Sequence, residues 1–146
     1  MINTNQVIGL GCGLLLALLP ACSRDSDNPD VKFAKTTLFS MVNCSADEAL
    51  IDWETFQGPG KDVGAAYRAL PDDAEKAKFR KEFLAGFCVS TPNLKAHPES
   101  LTDWRVKSES PSETVVATNM QPGTVMLLTV SKRDGKQKLS SLQVTK

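Results

Sequence analysis

Histidine is the usual general base and zinc ligand of small enzymes, and this chain of 146 residues contains one, His97. It sits beside Pro98 in a stretch that reads as loop, and Glu99 is the only other potential ligand at a useful spacing. A Ser-His-Asp triad or a histidine-based metal site would have to use this one residue, for which a solvated loop position is the commoner reading, and no His-Glu-x-x-His segment, Gly-x-Ser-x-Gly elbow or phosphate loop is present. Gly9, Gly11 and Gly13 have part of a dinucleotide fingerprint's spacing, but no strand precedes them. Two other side chains merit weighing as an acid or base: Asp103, on a strand whose parity turns it away from Trp104 and Val106 and so toward solvent, and Tyr67, the sole phenol. Neither has a partner in sequence, so no catalytic residue, metal or cofactor is assigned. Phe79, Phe83 and Phe87 recur every four residues and, with Trp104, could line a pocket. Core packing is the commoner fate of such a stripe. Lys132, Arg133, Lys136 and Lys138 form a small basic cluster suited to anionic headgroups or an acidic partner, or simply to a charged hairpin tip. Acidic residues gather earlier, at Asp25, Asp27, Asp30, Asp47, Glu48, Asp52 and Glu54. With 17 basic and 17 acidic residues the formal net charge is zero, which removes the general attraction that nucleic-acid binding requires.

The four cysteines take different roles according to the first 22 residues. From Val7 to Leu19 the chain is apolar and uncharged for thirteen residues. As a helix this rises about 20 Å, too short for a hydrocarbon layer of roughly 30 Å, so it reads as the apolar region of a secretory signal. The segment Leu19-Pro20-Ala21-Cys22 that follows resembles the lipobox of bacterial lipoproteins. Pro20 stands where that family more often has Ala, Ser or Thr, and the first six residues carry no Lys or Arg. The resemblance implies cleavage before Cys22, acylation of its thiol, and a domain anchored by lipid and facing the periplasm. Ser23, in place of the aspartate that tends to retain such proteins in the inner membrane, favours the outer membrane. On that reading Cys12 leaves with the signal, and an even pair, Cys44 and Cys88, remains in an exported domain. Such a pair suggests a structural disulfide, the alternative being two buried thiols, and there is no Cys-x-x-Cys redox motif.

The elements that position these residues follow from pattern and caps. Residues 1–21 are read as signal peptide, 22–30 as lipidated cysteine and tether, and 31–146 as one domain. Asp30 is placed as the N-cap of a helix from Val31 to Asn43 that buries Val31, Ala34, Leu38, Met41 and Val42. Ser45-Ala46-Asp47-Glu48 has capping-box spacing and predicts a second helix to about Phe56, with Leu50, Trp53 and Phe56 inward. Gly58-Pro59-Gly60 ends it. A short helix before Pro71 and a long one over Asp72 to Phe87 follow. Beyond His97 the period becomes that of strands: Leu101 to Lys107, Glu113 to Asn119, Thr124 to Ser131 and Gln137 to Thr145, joined by short turns. The expectation is an α+β domain, N-terminal helices on a four-stranded antiparallel sheet, with the apolar strand Thr124 to Ser131 central.

That order of elements, with a Trp-containing first strand, resembles small lipoproteins with a nuclear-transport-factor-2-like or cystatin-like domain, in which a curved sheet wraps the helices. The resemblance spans about Val31 to Thr145 and implies either a binding or scaffolding module or a cup-shaped enzyme. Lacking a catalytic set, the sequence points to a lipid-anchored envelope accessory protein, an assembly factor or an immunity or inhibitor type, that binds an envelope protein partner without catalysis. The alternative is a small-molecule cup protein or enzyme, with Phe79, Phe83, Phe87 and Trp104 on the wall.

Overall fold

The computed structural model describes residues 25–146. The apolar segment, Cys12 and Cys22 lie outside the described residues. Helix α1 (Pro29–Val42) begins two residues earlier than expected, because Asn28, not Asp30, is its cap: Asn28 Oδ1 accepts the Asp30 amide at 2.8 Å. Pro29, with no N–H to satisfy, occupies the first helical position. The buried face is Val31, Ala34, Leu38, Met41 and Val42, joined by Thr37 and Asp30.

The second helix does not form. Asp47 accepts the Ala49 amide at 2.8 Å and caps only a 3-10 turn over Glu48–Leu50. Ile51 then turns extended and makes a parallel bridge with Leu139, and the Asp52 amide donates to the Leu139 carbonyl at 2.9 Å. Pairing with the sheet thus satisfies backbone groups that a helix would otherwise have satisfied. Ile51, Trp53 and Phe56 are still buried, while Leu50 is half-exposed. Trp53 Nε1 donates to the Glu48 carbonyl at 2.8 Å, and Arg80 Nε meets Glu48 Oε2 at 2.6 Å, so the segment is tied down by side chains.

Two short strands follow, β1 (Gln57–Gly58) and β2 (Lys61–Asp62), around Pro59 and Gly60, the latter at φ 66. Helix α2 (Val63–Arg68) is capped by Asp62 and α3 (Asp73–Ser90) by Asp72. Helix α4 (Pro92–Ala96) leads into strands β3 (Thr102–Glu109), β4 (Glu113–Gln121), β5 (Thr124–Arg133) and β6 (Lys136–Thr145). These last four form the expected antiparallel meander, and the Asp134-Gly135 turn between β5 and β6 has positive φ at both residues, 52 and 70, as a tight hairpin requires.

The sheet is larger than a four-stranded one. Its order is β2-β1-β6-β5-β4-β3, and β1 runs parallel to β6, so it is a mixed sheet of six strands in an α+β fold. Register irregularities interrupt β3 against β4 twice, and Asp103 there has φ 54. Met126, Leu128 and Val130 of β5 meet α1 in the core with Leu139, Leu142 and Val116. At the far end of α1, Cys44 is disulfide-bonded to Cys88 of α3, with the two Cα atoms 5.3 Å apart.

Candidate functional site

Alternation along the strands determines what the sheet can offer the helices. Even positions of β5 and the matching positions of β4 and β6 point inward, and at the Arg133 end they meet α1. At the opposite end the inward side chains are Met120, Met126, Leu142 and Val144, which α3 and α4 stand over without closing. The result is an open, mostly apolar cavity of about 970 Å³. Phe83, Gly86 and Phe87 of α3 form its opposite wall, the β1–β2 turn closes one side with Gly58, Pro59 and Lys61, and Leu94 and His97 border the other.

Gly86 matters to this volume. A Cβ built there meets no heavy atom within 4 Å, so the wall is left bare where any other residue would project into the cavity. Glycine inside a helix costs about 0.5–1 kcal/mol relative to alanine, which makes its presence midway along the longest helix a signal that sequence reasoning passed over. Phe83 is fixed from behind by Trp53 and Phe56, at centroid distances of 5.5 and 5.7 Å with edge-to-face geometry.

The four aromatic candidates are not brought together. Phe83 and Phe87 lie on the cavity wall. Phe79 stacks on Phe83 at 6.3 Å and packs against Trp53 and Tyr67, behind the wall. Trp104 lies 6.3 Å from Phe39, on α1, with Lys35 Nζ 5.9 Å from its ring. The stripe on α3 therefore serves both core and cavity, and β3 contributes to neither wall.

The polar groups of the cavity do not converge as acid, base and nucleophile would. His97 Nδ1 faces Glu99 Oε1 at 3.1 Å on an exposed loop, and Glu99 is held below the usual glutamate range by its own backbone amide and then by His97. Ser90 and Thr91 direct their hydroxyls to the Phe87 carbonyl, at 2.9 and 3.0 Å. Asp103 is exposed and bonded to Arg105 Nη1 at 2.7 Å, as its strand parity predicts. The Tyr67 hydroxyl is buried behind α3, accepting from Arg80 at 2.9 Å. Among the described residues no group of three or more His, Cys, Asp or Glu side chains could hold a metal ion.

The basic cluster is divided by ion pairing. Lys132 Nζ reaches Asp30 Oδ2 at 2.7 Å and Glu109 Oε1 at 3.2 Å, and Arg133 lies 3.8 Å from the buried Asp52 carboxylate. Asp30, 3% exposed, also accepts from Thr114 at 2.6 Å and Gln137 at 2.5 Å. Burial pushes the Asp30 carboxyl up, but the bonds from Lys132, Thr114 and Gln137 together outweigh it and hold the group below the ordinary aspartate range. This network clamps the start of α1 to β4, β5 and β6, at the end of the sheet away from the cavity.

Comparison with known proteins gives no match: no family model, no curated protein and no solved structure is similar to this chain.

Proposed function

We propose that this chain is a lipid-anchored envelope protein that binds an apolar small molecule in its cavity without transforming it. The observation that carries the reading is the open cavity itself, which has the volume and lining of a ligand site but no convergent acid, base or nucleophile. Of the two roles expected from the sequence, the small-molecule cup gains and the protein-binding accessory loses. A large, obligate protein-binding face is marked by a contiguous exposed apolar patch. Among the described residues the large exposed apolar side chains are Val89 and Val144, and the second belongs to the cavity rim. The likeness of the element order to nuclear-transport-factor-2-like lipoproteins fits a cup between helix and sheet. Anchorage rests on Leu19-Pro20-Ala21-Cys22 and the polar stretch that follows, with the outer membrane favoured by Ser23.

Two measurements test this. The intact mass of the membrane-extracted protein should correspond to a chain beginning at Cys22 with acyl chains added, and a full-length unmodified mass would overturn the anchor. Solvent extraction of the protein purified in a detergent-free copolymer should release a small molecule that is depleted in Gly86→Trp, whose indole projects from α3 into the cavity. Identical extracts from both would overturn the binding role.

A further inference from the structure

We infer that the ligand is an amphiphile with one negative charge on its head, a fatty acid in type, its apolar part against α3 and its head at Lys61. The inference rests on the ligand-binding reading above and goes further by naming the ligand's chemistry. The wall that α3 presents runs from Glu82 to Ser90, a rise of about 12 Å, and carries Phe83, Gly86 and Phe87 on its cavity side. A volume of about 970 Å³ lies within the roughly 300–1,000 Å³ of sites that take a small-molecule ligand.

Charge at the rim decides the head. Lys61 lines the cavity and, among the described residues, has no carboxylate within 4 Å of its ammonium. His97, the other basic side chain on the wall, already faces Glu99. Glu82 also borders the cavity, with Lys78 Nζ 3.9 Å from its carboxylate, and its charge opposes a head carrying several negative charges. One cation without a partner and one carboxylate nearby therefore select a monoanion.

The test uses isolated membranes carrying the full chain, exposed to a diazirine-bearing palmitate or to the uncharged alcohol of the same length, then irradiated. Adducts are mapped by peptide mass spectrometry, and a non-reducing gel checks that the Cys44–Cys88 bond is intact in each variant. In the wild type, adducts on the Phe83 to Phe87 stretch should be more abundant with the acid than with the alcohol. Lys61→Glu should lower the acid's yield roughly threefold to tenfold and leave the alcohol's unchanged, Lys61→Arg should restore it, and Gly86→Trp should lower both. Equal labelling by acid and alcohol, unaltered by Lys61→Glu, overturns the charged head while leaving apolar binding in place. Labelling of the cavity by neither probe, or of residues 1–24 alone, overturns the ligand-binding reading with it.

Discussion

Asp30 is the residue whose role differs most from its local signature. By the rules of helix starts Asn and Asp are equally good caps, and the sequence offers both around Pro29. Choosing Asn28 releases the Asp30 carboxylate to turn inward, where it meets residues more than eighty positions away. No local pattern encodes that contact. Replacing Asp30 by Ala should leave Lys132 with only half-exposed Glu109 and cost about 2–3 kcal/mol, somewhat below the usual loss on breaking a buried pair, measured by urea unfolding. Because the folded-state pKa of Asp30 is depressed, its contribution is present above the unfolded value and lost as pH falls through the folded one. Stability of the wild type should therefore decline below about pH 4, with a smaller decline in Asp30→Asn. Lys132 is raised, chiefly by its bond to Asp30, so its part is lost only on the alkaline side of the lysine range.

Among the elements, α3 was the most legible and α3 holds most of the candidate site. Its start and aromatic spacing are visible in the sequence, although it runs to Ser90 rather than ending at Phe87, whereas Gly86 carries no such signal, because a glycine in a helix reads locally only as a small penalty. Gly86→Ala should raise stability by about 0.5–1 kcal/mol in thermal unfolding, with the ligand cavity little reduced. The segment after α1 departs from its local signals for a different reason. Capping signals report a helix start but not its length, and Ile51 was captured by Leu139 of a strand that lies far along the chain. Gly64 belongs to the same junction: a Cβ there would come within 2.8 Å of the Glu54 carbonyl oxygen. Gly64→Ala should thus destabilise by about 1–3 kcal/mol, measured by thermal unfolding, since the obstacle is backbone. The disulfide links residues 44 apart in sequence, and replacing both cysteines by Ser should cost up to about 4 kcal/mol on the chain-entropy account. Calorimetry of that variant, set beside the reduced wild type, checks it.

At the scale of the molecule, the meander β3–β6 could be read from alternation and turn chemistry, because each strand is long enough to show a period. The β1 and β2 pair could not, since two residues have none, and the cavity's side wall was missed with it. The domain also has two ends. Lys132, at the start of α1, and Met126, on the cavity floor, are six residues apart on β5, which is about 20 Å. On the proposed anchorage, a tether that joins the described fold at Asp25, in a 3-10 turn packed on β3, should therefore hold the cavity on the side away from the bilayer. With photo-crosslinkers on lipid headgroups, the β3–β4 and β5–β6 turns should be labelled in preference to Pro92–His97, and the reverse order would count against this arrangement. The sheet's outer boundaries carry one further consequence. One boundary, β2, is two residues long, and the other, β3, is broken twice in register, with Asp103 in a left-handed conformation and charged side chains at Arg105 and Lys107. Neither offers a straight row of free amides and carbonyls onto which a neighbouring molecule's strand could build. Many copies crowded on one surface can then collide edge to edge without templating fibrils, so this protein can be abundant without becoming an aggregation seed.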